Sequence, residues 1–341
     1  MPEEVASGIF RIEVPLPQNP LKMLNAYLVR GERRHLLVDT GFNRQECREA
    51  LFGALGALGV RPGEIDLFIT HMHADHCGLA ADLAAIPGTV VYAGKDDGES
   101  INRLSDGAAF RRFLLHDMAR HGCDAELLRE LETSHPGVRY GPSGKIAFTA
   151  VDEGDTLVYG ESRLHVLFVP GHSPGHMVLF DAQRRILFAG DLVLGDITPN
   201  ISRRREMPDA LGAYLDSLDK VEKLDAALTL TGHRSLVRDT AKRIGELRAH
   251  HARRLAEVRG ILEGRTATAA EVAPEMTWSI RGTAWTDFPA PQKWFAINEA
   301  LAHLDHLAVL GIVAREETGD LTRFRLSGKA AATGAAHARS S

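Results

Sequence analysis

The chain has 341 residues, 44% of them hydrophobic and 25% charged, with a formal net charge of −5. That balance belongs to a globular protein with room for a main domain and an appended one, and no run of about 18 apolar residues offers a membrane span. The acidic excess gives no general attraction to a polyphosphate backbone, so nucleic acid is a disfavoured partner unless a local basic patch supplies it.

Met1-Pro2-Glu3-Glu4 lacks the basic and then apolar pattern of a signal region, and Cys47, Cys77 and Cys123 have no paired spacing. A reducing, cytoplasmic setting is expected. In chain order, apolar patterning predicts strands at 9–14, 25–29 and 35–38, a helix over 45–58, a strand at 67–69, a helix over 79–83 and a strand at 90–92. Asp39 stands directly after the third strand. After the fourth comes Thr70-His71-Met72-His73-Ala74-Asp75-His76-Cys77-Gly78, with three imidazoles and one carboxylate within six positions. No single ion easily takes all four donors from so short a loop, so the run points to two metals with partners elsewhere in the chain.

Residues 96–145 break the alternation. Phe110, Phe113, Leu114 and Met118, then Leu127, Leu128 and Leu131, fall at helical spacing and predict two amphipathic helices around Gly122. Such an insertion could cover a metal cleft as a lid or be a packing excursion. Strands follow at 156–158, 164–169, 177–180, 186–189 and 227–230, with a helix over 208–224. Three of these runs close on a candidate ligand beside glycine: His172 in Pro170-Gly171-His172-Ser173-Pro174-Gly175-His176, Asp191 after Gly190, and His233 after Gly232. Loops held by a rigid scaffold are where function is usually carried.

A charged helix over 244–262 leads on to helices over 269–275 and 292–310 and a hairpin of 312–316 with 321–326, joined through Thr318-Gly319-Asp320. Trp294, Ile297, Leu301, Leu304 and Leu307 trace one apolar face, and the pattern is winged-helix-like. Acidic residues outnumber basic ones there, which favours packing or homo-oligomerisation over duplex-DNA reading. The expected domains are 1–262 with its insertion at 96–145, then 263–328, then a disordered Ala, Ser and Gly-rich tail at 329–341.

The ordered series Asp39, His71-x-His73-x-Asp75-His76, His172, Asp191 and His233 resembles the metallo-β-lactamase fold superfamily over residues 5–240. Within it, the chain looks most like hydroxyacylglutathione hydrolase-like and lactamase-like hydrolases with an added C-terminal domain. The resemblance implies an α/β, four-layer αββα sandwich followed by the small winged-helix-like domain. It further implies His71, His73 and His172 on one metal, Asp75, His76 and His233 on the other, and Asp191 as the bridge, so that Asp75 and Asp191 are the carboxylates of the catalytic centre. Asp39 would accept a hydrogen bond from the outer nitrogen of a ligating histidine. His176 is expected to support the His172 loop, and Cys77 to be a small buried side chain.

Neutral imidazoles and carboxylates fit two zinc ions, whose bound water reaches a pKa of about 7, while iron or manganese suit the same donors. The expected activity is hydrolysis of a small-molecule ester, thioester or lactone by a metal-bridging hydroxide, with no serine or cysteine nucleophile. Phosphodiester or RNA hydrolysis and mononuclear iron persulfide dioxygenation are the alternatives. Arg203-Arg204-Arg205, shortly after Asp191, is expected either to hold an anionic group of the substrate or to be a solvated loop.

Overall fold

The computed structural model describes residues 1–204, 206–278 and 284–328, without the side chains of Ala109, Phe110 and Phe113. Arg205 and the tail expected to be disordered therefore lie outside the described residues, as do the side chains of two predicted helix-face phenylalanines. Two compact units emerge. The first comprises Met1–Phe110, Pro136–Pro199 and Tyr214–Gly245, and the second takes Arg111–His135, Asn200–Ala213 and the described residues from Glu246 on. The 96–145 insertion is thus divided between them.

In the first unit a seven-stranded sheet runs in chain order: Glu3–Ala6, Ile9–Pro15, Met23–Val29, His35–Val38, Ile65–Ile69, Val91–Gly94 and Thr149–Val151. The first four pair antiparallel, and the rest follow parallel. A five-stranded sheet has the spatial order Leu228–Thr231, Ile186–Gly190, Met177–Asp181, Ser162–Phe168 and Thr156–Tyr159. Tyr27, Val38 and Phe68 of the first sheet share one core cluster with Val166, Leu179, Phe188 and Leu230 of the second, so the sheets pack face to face. The other face of the first sheet buries Leu24, Leu37 and Leu67 against Cys47, Leu51 and Leu55, which recur every four residues along the helix Gln45–Ala57. Each fully buried leucine of this kind stabilises by roughly 1.5–3 kcal/mol. Because both faces are covered, central strands such as Ile65–Ile69 are buried at every position, and the one charged member of that strand, Asp66, is paired with Arg34 at 2.6 Å.

The sequence patterning missed Lys95–Leu104, a helix with few apolar residues and an internal Gly98, and the short strands Thr149–Val151 and Thr266–Ala267, which are too brief to show a period. It also placed the C-terminal turn one residue too wide. Thr318 pairs with Leu321, leaving Gly319-Asp320 as a two-residue hairpin loop of the kind that twisted strands favour.

The second unit packs Trp294, Ile297, Leu301, Leu304 and Leu307 of the helix Ala290–Val309 against Leu114, Met118, Leu131, Val258, Val272 and Phe324. A three-stranded sheet orders Thr266–Ala267, Leu321–Leu326 and Val313–Thr318. Two buried histidines are locked as neutral rings in this core: His303 Nδ1–H donates to the Glu299 carbonyl at 2.7 Å, so its Nε2 accepts from His251 Nδ1–H at 3.2 Å.

Arg203 also belongs to this unit. Its Nη1 lies 2.9 Å from Asp117 Oδ1 and its Nε 3.2 Å from Asp305 Oδ2, with its own side chain 14% exposed. Two carboxylates thus already compensate the guanidinium, and removing it would take that ion pair from Asp117 and leave Asp305 with Arg315 at 3.7 Å. Arg203→Ala should therefore cost about 3 kcal/mol of stability in this unit, because a largely buried charge left unpaired is expensive. Urea titration followed by tryptophan fluorescence would measure it. Unchanged stability with a raised KM for an anionic substrate would instead support the anion-holding role.

Candidate metal centre

Every expected ligand sits at the C-terminal end of a strand in the first unit. The strand Ile65–Ile69 delivers Thr70 and His71, and His73 then precedes the short helix Ala74–Cys77, whose first turn carries Asp75 and His76. His172 follows the strand Ser162–Phe168 through Gly171, which has φ +134° and passes so close to the next helix that a Cβ would stand 2.4 Å from Tyr214 Cα. Only glycine fits there, and it fixes where His172 begins. Asp191 follows Ile186–Gly190, and His233 follows Leu228–Thr231 with one glycine between.

The side chains converge in two overlapping groups. His71 Nε2 lies 3.0 Å from His73 Nδ1 and 3.2 Å from His172 Nε2. His76 Nε2 lies 3.4 Å from His233 Nε2, which in turn stands 3.3 Å from Asp75 Oδ2. Asp191 reaches both groups, with Oδ1 at 3.4 Å from His76 Nε2 and Oδ2 at 3.7 Å from His172 Nε2 and 3.6 Å from His233 Nε2. Donors bound to one tetrahedral ion at 2.0–2.1 Å stand about 3.3 Å apart, so these spacings fit metal ligation. Three imidazole nitrogens aimed at one point are a poor hydrogen-bonding arrangement and a good ligand set. Three sets, His71–His73–His172, His71–His76–Asp191 and Asp75–His76–His233, each place one donor atom per residue within 4.8 Å of the others.

Neighbouring groups decide which nitrogen each ring presents. Asp39 can only accept, and it takes Thr70 N–H at 2.8 Å, the Thr70 hydroxyl at 2.8 Å and His76 Nδ1–H at 2.7 Å. Because the one Thr70 hydroxyl hydrogen goes to Asp39, Thr70 Oγ1 accepts from His71 Nδ1–H at 3.0 Å. His233 Nδ1–H donates to the Met23 carbonyl at 2.8 Å. All three rings consequently turn Nε2 inward, toward the cluster. Asp39 does this from a left-handed backbone, φ +61°, a conformation that costs a non-glycine residue about 1–2 kcal/mol and marks a position held by its surroundings. Thr70 and the Met23 carbonyl had no signature in the sequence, because nothing in the motif spacing names the partner of a ring's outer nitrogen.

Burial and the adjacent imidazoles of His76, His73 and His172 hold His71 well below the usual histidine range. His76 moves the other way: burial opposes its charge, but the carboxylates of Asp39 and Asp191 raise it well above that range. Asp191 is itself held well below the carboxylate range, where burial is outweighed by His233, His76 and His172. The cluster is thus a buried anion surrounded by ring nitrogens, an electrostatic setting that suits divalent cations. His71, His76 and His233 are fully buried and Asp191 is 7% exposed, whereas His73 and Asp75 are half-buried and mark the side open to solvent.

His176 is buried beside the cluster, with its ring centroid 4.9 Å from that of His71, and sits in none of the three donor sets. Cys77 is a buried thiol that donates to the Met72 carbonyl at 3.3 Å. Among the described residues no helix is long and apolar enough to cross a membrane.

Residues 20–233 match the metallo-beta-lactamase superfamily. The chain is 31% identical over 197 residues to the acyl-coenzyme A thioesterase MBLAC2 of Gallus gallus, a match covering 55% of this chain and 64% of that protein, just under two thirds of its length. It is 24% identical over 332 residues to the probable metallo-hydrolase YqjP of Bacillus subtilis (strain 168), covering 93% and 97% of the two chains. Among solved structures, a beta-lactamase domain protein from Burkholderia ambifaria superposes with a TM-score of 0.83 at 28% identity, over 96% of this chain and 94% of that one. With nearly two thirds of its length matched and the αββα sandwich expected of that fold, the chain belongs to the metallo-beta-lactamase superfamily and is a metal-dependent hydrolase.

Proposed function

We propose that the protein is a binuclear hydrolase of small-molecule thioesters, with His71, His73 and His172 holding one ion, Asp75, His76 and His233 the other, and Asp191 touching both. The observation that carries this reading is the placement of Asp191, whose carboxylate lies within 3.4–3.7 Å of His76, His172 and His233. Neutral imidazoles with few carboxylates favour zinc, and iron and manganese remain the competing ions. When bound, the ions lower the pKa of water to about 7 and polarise a carbonyl oxygen, so no side-chain nucleophile is needed.

The chain's own groups position and shield. Asp39, Thr70 and the Met23 carbonyl fix ring tautomers, and the buried histidines keep bulk water from the inner side. Substrate would approach over the half-buried His73 and Asp75. The thioester preference is supported by the name of the avian relative, an acyl-coenzyme A thioesterase. Arg203 serves Asp117 and Asp305, two carboxylates of its own unit, so it is not offered as a holder of an anionic group of the substrate. The acidic, winged-helix-like part would serve packing between copies of the chain. Three free buried cysteines accord with a reducing, cytoplasmic setting.

A panel of acyl-coenzyme A, acylglutathione, lactone, phosphodiester and RNA substrates tests the reading. Thioesters should give the highest kcat/KM. A preference for phosphodiesters, or oxygen consumption with a persulfide, would overturn it.

A further inference from the structure

Asp97 is 1% exposed, carries no obvious motif, and is absent from all three donor sets. It is the third residue of the helix Lys95–Leu104. An acidic residue there ordinarily serves its own helix through the dipole or free amides, yet three donors to Asp97 come from two other segments. Oδ2 accepts from Met72 N–H at 2.9 Å and from the Ser173 hydroxyl at 2.5 Å, and Oδ1 accepts from Gly175 N–H at 2.7 Å. Met72 lies between His71 and His73, and Ser173 follows His172. One carboxylate therefore ties together the two loops that supply all three histidines of one cluster. The approach is tight: a Cβ on Gly175 would stand 2.4 Å from Asp97 N and 3.0 Å from Asp97 Cβ, so the second loop can press against the helix start only because residue 175 is glycine.

We propose that Asp97 is a positioning residue that sets the spacing of the His71–His73 loop and the His172 loop, and so the metal affinity of that three-histidine cluster separately from Asp75–His76–His233. The proposal rests on the two-cluster reading given above. Asp39 by contrast contacts a ring of the other cluster directly, His76, and reaches His71 through Thr70. Asparagine at 97 cannot reproduce the arrangement. Its single carbonyl oxygen can face Gly175 or face Met72 and Ser173, and in either pose the amide NH2 points at a backbone N–H, leaving a buried donor without an acceptor.

The test uses the full chain and zinc alone, titrated in competition with a chromophoric chelator, in two backgrounds. His233→Ala leaves the three-histidine cluster intact, and His172→Ala leaves the other. Adding Asp97→Asn should weaken zinc binding about tenfold in the His233→Ala background, the lower end for a group supporting ligands, and leave it within about twofold in the His172→Ala background. Asp39→Asn should show the larger loss in the His172→Ala background. Equal losses from Asp97→Asn in both backgrounds would mean general loosening, and no loss in either would mean no role; both overturn the proposal. Should Asp97→Asn fail to fold, Ser173→Ala, which removes one arm, decides alone: weaker zinc binding in the His233→Ala background supports the proposal and unchanged binding overturns it. If the unsubstituted chain takes up only one zinc ion, the two-cluster reading fails by itself, while the His233→Ala comparison still tests Asp97.

Discussion

Asp191→Ala is expected to lower kcat/KM at least about a thousandfold, the scale on which removing central charge-stabilising machinery acts, and to reduce bound metal from two ions toward one. The reason is geometric. Asp191 lies within 3.7 Å of ring nitrogens from both clusters, reaching His172 in the first and His76 and His233 in the second. Two of these three neighbours do not depend on it for orientation, because His76 is held by Asp39 and His233 by the Met23 carbonyl, so the protein should fold with those rings still in place. His172→Ala should by contrast weaken chiefly one ion. Metal analysis beside steady-state kinetics separates the cases: full occupancy of both ions in Asp191→Ala would show that it does not join them.

Lowering the pH from 7 to 5 is expected to cost the second unit about 3–6 kcal/mol of stability, summed over its buried histidines. Burial pushes His121 and His303 down to about 4 and His135 and His251 down to about 3. All four lie below the unfolded value of about 6.5, so on acidification the unfolded chain takes up protons first. Stability fully present above pH 6.5 is therefore lost progressively toward the folded values. At pH 5 each ring forfeits up to about 2 kcal/mol, less for the hydrogen-bonded pair His251 and His303, which share one environment with Glu299, His250 and Arg254. Asp305 works in the opposite sense. Burial raises it to about 6, above its unfolded value, so it regains stability as the pH falls below 6 and offsets at most one histidine. Trp278, Trp285 and Trp294 all belong to the second unit, and they are the chain's 3 tryptophans, so their fluorescence reports on that unit selectively. Urea midpoints should fall between pH 7 and pH 5. Equal midpoints would mean that the rings are solvated or already charged.

Much of this was readable from the sequence, for reasons that differ by element. Apolar runs such as Leu36-Leu37-Val38 and Leu67-Phe68-Ile69 declare strands covered on both faces, and the short distance from each to Asp39 or His71 places these side chains at strand ends. What the chain order cannot express is contact between segments far apart in sequence. The Thr70 hydroxyl owes its role to Asp39, the Met23 carbonyl to a residue 210 positions later, and Asp97 to two loops that meet only in the fold. Arg203 carries the same lesson: adjacent to two further arginines it reads as a basic patch, yet Asp117 and Asp305 arrive from separate helices to neutralise it.

The central claim is a pair of ions joined by Asp191, and elemental mass spectrometry of the purified full-length chain addresses it most directly. The arrangement of His71, His73 and His172 beside Asp75, His76 and His233 predicts about two transition-metal ions per chain, as a two-metal site requires. One iron per chain, with no second ion taken up on titration with zinc, would contradict it.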